Sequence, residues 1–180
     1  MILYHGTPLE SGEKIIQEGK IRCQIKRSHE GYENIIEGTT DGFVYLTQNL
    51  YTAYYYGNIL LLDQDDYNKK YVYIFKIEIP DDNILLEPDF DELKVRNKVY
   101  SKNITWKECL EMCGCARIRQ DITIKGLEYI KLPGTGNRLE DIQDVKICCE
   151  LSKMQLGYAR SYGELEKEVE TRWKWKKFDE

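Results

Sequence analysis

The chain has 180 residues, 42% of them hydrophobic, which suits one domain with a sizeable core. Its formal net charge of -5 argues against a general nucleic-acid binder, which carries a basic footprint, though not against a local basic groove. No apolar run approaches the roughly 18 residues of a membrane span, and no secretory leader is expected, since neither a basic nor an apolar leader region is read at the start. A cytoplasmic protein without a membrane segment is expected.

Six cysteines stand at irregular spacings: Cys23, Cys109, Cys113, Cys115, Cys148 and Cys149. They read as reduced thiols rather than a disulfide framework. Cys109, Cys113 and Cys115 lack a CxxC pair, and no histidine lies near them in sequence, so no metal site is expected.

Ile2, Leu3 and Tyr4 form a short apolar strand with His5 at its end. Gly6 beside it lets another group approach the backbone closely. Residues 11–19 predict a helix: Ser11 is the N-cap, Ile15 and Ile16 supply a buried stripe, and Gly19 suits the C-terminal cap. Ile21 starts a short extended piece. Residues 20–40 are polar and aperiodic, and predict a long surface loop of the kind that carries function. Asp41 and Gly42 turn the chain into a strand over 43–47. Asn49 caps a helix through Ala53 to Tyr56 that Gly57 ends, and apolar residues 59–62 extend it or pack beneath it.

Residues 71–79 alternate two mostly apolar faces and predict the central strand. Pro80 turns it, residues 84–86 are extended, and residues 89–97 are charged and weakly helical. Thr105 and Glu108 form a capping box that opens a helix to Cys113, stopped by Gly114. Residues 116–124 and 127–132 are expected as two strands about a hairpin-like turn at Lys125 and Gly126. The glycines of residues 133–137 are not followed by the Lys-Ser/Thr pair of a P-loop, so that stretch is a turn. A last strand is expected at 145–149 and a helix over 150–173, weakened by Gly157 and Gly163. The basic, aromatic end around Trp173 and Trp175 reads as an amphipathic tail lying on the domain, or as a surface that stacks on single-stranded nucleic acid or docks a partner. The tally is α+β and dominated by sheet, with residues 1–150 as the domain and 151–180 as a helical appendage packed on it.

Three features carry chemistry when taken together. His5, Gly6 and Thr7 sit at a strand end. Tyr45 on a strand and Tyr56 on the next helix face each other across a corner, a slot for a flat aromatic ring. Glu128 sets a carboxylate in an apolar strand, where it can stabilise positive charge at a sugar carbon or accept a proton.

These pieces resemble the H-Y-E signature of the ADP-ribosyltransferase superfamily, in its diphtheria-toxin and poly(ADP-ribose) polymerase branch. Glu128, Tyr129 and Ile130 are similar to the Glu-Tyr-(Val/Ile) strand of the polymerases. The resemblance implies a split antiparallel sheet with short flanking helices, and NAD as co-substrate. It implies that His5 binds a ribose, that Gly6 holds the nicotinamide carboxamide through its backbone with Thr7 alongside, and that Tyr45 and Tyr56 sandwich the nicotinamide. Glu128 becomes the catalytic carboxylate. Ala53 falls where the polymerases carry serine, which leaves Thr52 or Thr47 to supply that hydrogen bond. The expectation is a mono-ADP-ribosyltransferase of toxin, effector or defence type acting on a protein. The alternatives are a non-catalytic NAD or ADP-ribose module, a nucleic-acid-directed transferase, and a relative of the RNA 2′-phosphotransferases.

Overall fold

The computed structural model describes residues 1–24, 39–62, 64–80, 85–97, 99, 101, 103–157 and 161–179. The expected functional loop lies mostly outside the described residues. Strand β1 (Ile2–Pro8) is longer than its apolar opening predicts. It pairs antiparallel with β4 (Tyr71–Glu78) from Ile2↔Glu78 to Pro8↔Val72, so His5 sits in mid-strand, not at a strand end. The two periodic faces of β4 are both covered: Val72 and Ile74 on one side, Tyr73, Phe75 and Ile77 on the other are buried.

The remaining strands are β2 (Lys20–Ile21), β3 (Val44–Thr47), β5 (Leu86–Pro88), β6 (Cys115–Ile118), β7 (Ile122–Thr123), β8 (Glu128–Pro133) and β9 (Lys176–Lys177). Seven form one antiparallel sheet in the order β5-β6-β3-β1-β4-β8-β9, and β2 pairs with β7 apart from it. The fold is α+β with a mostly antiparallel sheet. The sheet is nearly divided at one place. β1 and β4 share seven register pairs, whereas β1 and β3 share the single pair Tyr4↔Thr47.

The helices are α1 (Leu9–Glu18), α2 (Leu50–Ile59), α3 (Phe90–Asn97), α4 (Trp106–Cys113), α5 (Ile142–Gln155) and α6 (Tyr162–Arg172). One core gathers Leu9 and Ile15 of α1 with Leu3, Phe75, Ile77, Val44 and Leu46. A second, on the opposite face, gathers Leu50, Ala53 and Tyr54 of α2 with Val72, Ile74, Ile147, Leu151, Leu165 and Val169. Burying a side chain such as Leu50 or Ile74 contributes about 1.5–3 kcal/mol. Among the described residues, no helix is long and apolar enough to cross a membrane.

Several sequence expectations change. Pro8, not Ser11, stands at the N-cap of α1, while Gly19 caps its end in the left-handed region at φ 69. Gly57 does not stop α2; a Cβ there would lie 2.5 Å from Val72 Cγ1, so the residue lets helix and strand pack closely. The hairpin about Lys125 and Gly126 does not form. β6 pairs with β3 and β5, β8 pairs with β4, and β3, β1 and β4 lie between them. The strand expected at 145–149 is helical: Asp141 accepts from Gln143 N–H, and Ile147, Cys148 and Leu151 recur with the helical period that buries one face. The boundary drawn at residue 150 falls inside α5, which packs on α2. The capping box at Thr105 and Glu108 forms as read.

Candidate functional site

The near-division of the sheet is where the site begins. The β1–β3 ladder stops at Tyr4↔Thr47, one residue before His5. His5 Nδ1 then lies 3.0 Å from the Tyr45 carbonyl oxygen. In a continued ladder a carbonyl turned toward β1 accepts from the β1 main chain. Here the imidazole takes that place and bridges the opening. A carbonyl only accepts, so Nδ1 carries the proton, and in the neutral ring Nε2 is an acceptor.

Gly6 follows beside the opening. A Cβ built on it would lie 1.8 Å from the Ala53 carbonyl oxygen, so α2 sits directly on the β1 backbone. The close approach that the sequence assigned to another molecule is made, on this face, by α2. It sets Ala53 against Gly6. Thr7 is buried and pairs with Tyr73. Neither threonine offered in place of the missing serine stands idle. Thr47 Oγ1 donates to the Gly114 carbonyl at 2.9 Å, and Thr52 Oγ1 and the Gln155 side-chain amide lie 2.7 Å apart.

Tyr45 and Tyr56 meet through α3. The Tyr45 hydroxyl donates to Asp91 and the Tyr56 hydroxyl to its neighbour Glu92. Asp89 starts this helix by accepting the Glu92 N–H at 3.0 Å, so one acid caps it and two more, Asp91 and Glu92, stand in its first turn. Burial raises both tyrosine hydroxyls well above the usual range, and the facing carboxylates add to it. Both remain protonated donors at neutral pH. Burial likewise raises Glu92, opposed by Tyr56 and Arg96. Arg96 closes the cluster: its Nε lies 3.0 Å from Glu92, its Nη1 donates to the Gln155 carbonyl at 2.9 Å, and its guanidinium lies over the Tyr55 ring.

Glu128 lies elsewhere. β8 sets it opposite Lys76, which is opposite Tyr4 on β1. Three strand spacings, about 14 Å, separate its strand from that of Tyr45. Lys76 Nζ donates to Glu128 at 3.1 Å and also lies over the Trp175 ring, which stacks on Tyr4. Trp173 and Trp175 pack inward on the second core, so the rings of the C-terminal segment cover the sheet. The structure thus brings His5, Gly6 and Tyr45 together, ties Tyr45 to Tyr56 through α3, and sets Glu128 in a separate cluster.

Sequence reasoning missed Asp91, Glu92 and Arg117. The first two were legible as an acidic run opening a weak helix. Arg117 was legible as a charge inside the apolar β6. Among the described residues no group of His, Cys, Asp and Glu side chains is placed to hold a metal ion, although Cys109 and Cys113 come within 3.6 Å of each other.

Fold and site together define an α+β protein whose antiparallel sheet opens beside a histidine and a tyrosine. No family model matches the chain, and no curated protein matches it. A solved structure named EcPltA is similar at 14% identity, over 80% of this chain and 79% of its own, with a TM-score of 0.44. A likeness of that degree carries no argument about this chain, and the functional reading rests on the site.

Proposed function

We propose that the chain is an NAD-cleaving mono-ADP-ribosyltransferase with a macromolecular acceptor, a protein before a nucleic acid. The observation that carries the reading is the opening between β1 and β3, with the His5 ring bonded to the Tyr45 carbonyl across it and Gly6 alongside. The sequence resemblance of these residues to the H-Y-E signature supports it.

Gly6, Tyr45 and Tyr56 would hold the nicotinamide end of NAD, and His5 Nε2 would accept from a ribose hydroxyl. NAD supplies a glycosidic C–N bond whose electron pair leaves with nicotinamide. The chain supplies a carboxylate to stabilise the positive charge left at the sugar carbon, as in glycoside cleavage. The acceptor's nucleophile bonds that carbon and gives up its proton to a carboxylate or to water. Two carboxylates compete for the role: Glu128, which carries the sequence resemblance, and Glu92, which is bonded to Tyr56.

The test is release of nicotinamide from labelled NAD by the wild type, His5→Ala, Glu128→Gln and Glu92→Gln. A loss of about a hundredfold in one carboxylate variant, with NAD binding kept, identifies the catalytic group. Absence of release by the wild type, over a panel of acceptors, refutes the transferase. A second reading, a non-catalytic NAD or ADP-ribose module, is favoured by the pairing of Glu128 with Lys76 away from Tyr45. ADP-ribose binding without turnover decides for it.

A further inference from the structure

We infer that Arg117 is the seat of an anionic subsite beside Tyr45, built to take the diphosphate of a nucleotide substrate. The inference deepens the NAD reading and rests on it for the identity of that substrate.

β6 places Arg117 directly opposite Tyr45 of β3 and Glu87 of β5. Its side chain is only 9% exposed. The guanidinium lies 3.9 Å from the Phe43 ring centroid and 5.5 Å from that of Phe90. Rings on that cation exclude water and leave its N–H groups dependent on protein or ligand acceptors.

The described residues do not supply them. Asp91 is the ion-pair partner, at 3.5 Å from Nη1, and the contact lacks hydrogen-bond geometry. That carboxylate is already engaged by the Thr40 N–H at 3.0 Å, the Thr40 hydroxyl at 2.9 Å and the Tyr45 hydroxyl. Among the described residues, Nε and Nη1 of Arg117 are buried without an acceptor. Arg96, the other arginine packed about α3, is by contrast satisfied by Glu92 and the Gln155 carbonyl. A guanidinium cannot shed its charge, so the deficit persists until an oxyanion fills it.

A second guanidinium stands at the same ring. Arg119, more than half exposed, sets its guanidinium 4.3 Å from the same Phe43 ring, with Glu87 3.5 Å from its Nε. Each guanidinium has one acid 3.5 Å away, Asp91 for Arg117 and Glu87 for Arg119. The diphosphate is the dianionic part of the proposed substrate. A free phosphate or pyrophosphate offers the same oxygens.

Isothermal titration of the wild type and Arg117→Lys, both checked for folding by circular dichroism, with ADP-ribose, inorganic pyrophosphate and adenosine tests the inference. Wild-type binding of ADP-ribose and pyrophosphate, reduced about tenfold or more in Arg117→Lys with adenosine affinity unchanged, is the expected result. Equal affinities in wild type and variant, or wild-type indifference to both phosphate ligands, overturns it. If Arg117→Lys does not fold, the exposed Arg119→Gln replaces it. A several-fold loss for both phosphate ligands is then expected, and unchanged affinity overturns the subsite. Pyrophosphate binding without ADP-ribose binding keeps the subsite and sinks the dinucleotide reading. ADP-ribose binding indifferent to both arginines does the reverse.

Discussion

Replacing Asp89 with asparagine isolates one buried carboxyl and makes a quantitative demand on it. Its side chain accepts the Glu92 N–H at 3.0 Å, and its own N–H lies 3.3 Å from Cys109 Sγ. Burial pushes the carboxyl from an ordinary 3.8 to about 7, with the Glu92 N–H opposing and the charges of Glu92 and Asp91 adding. The folded value is the higher one, so the folded state holds the proton longer. The stability this gives is whole below the unfolded value and is lost as pH rises through the folded value. Each pH step within that window removes about 1.4 kcal/mol, and the whole window about 4 kcal/mol. Asparagine keeps the acceptor and cannot ionise. Asp89→Asn is therefore expected to exceed the wild type by about 1–2 kcal/mol at about pH 5 and by about 4 kcal/mol at about pH 8. Urea denaturation of both proteins across that range measures the difference. A stability difference that does not change with pH would refute the reasoning.

Three further substitutions probe the packing that sets the site. Gly6→Ala meets the Ala53 carbonyl, a backbone atom that cannot swing aside, so a loss of about 3 kcal/mol in a urea melt is expected, at the upper end of overpacking costs. Tyr54→Phe removes the hydroxyl that donates to the Pro133 carbonyl at 2.8 Å, and is expected to lower stability by about 1–2 kcal/mol. Thr105→Ala deletes the capping box of α4 and is expected to lower stability by about 1 kcal/mol, a shift of a few degrees in Tm, with nicotinamide release unchanged.

Much of the fold was legible because local chemistry fixed it. β4 announced itself through two apolar faces, α4 through its capping box, and the end of α1 through Gly19. What was not legible depended on pairing between distant residues. The two strands flanking Lys125 and Gly126 look like a hairpin in sequence, yet β6 and β8 take partners from elsewhere in the chain. Residues 145–149 are rich in β-branched and apolar side chains, and tertiary burial of one helical face overrode that preference. The site divided in the same way. His5, Gly6 and Tyr45 are close because β1 and β3 are neighbours. Glu128 was assigned by its local context alone, and nothing in that context states that β1 and β4 stand between it and Tyr45. The acids of α3 became visible only when the helix was seen to receive both tyrosine hydroxyls.

The single-pair contact between β1 and β3 also bears on how the molecule can move. It makes the sheet a pair of leaves, β5-β6-β3 and β1-β4-β8-β9, joined along a weak seam. The chain leaves one leaf at β6 and enters the other at β8. On the way it is fastened underneath, where β7 pairs with β2 and Ile124 N–H donates to the Gly19 carbonyl at 3.0 Å. That passage is a strap across the hinge, buried through Ile124 in the first core. The first core also spans both leaves, Leu3 and Phe75 on one and Val44 and Leu46 on the other, so this packing and the strap together oppose opening at the seam. A ligand seated between the leaves would work against the strap and the shared core as well as against the seam.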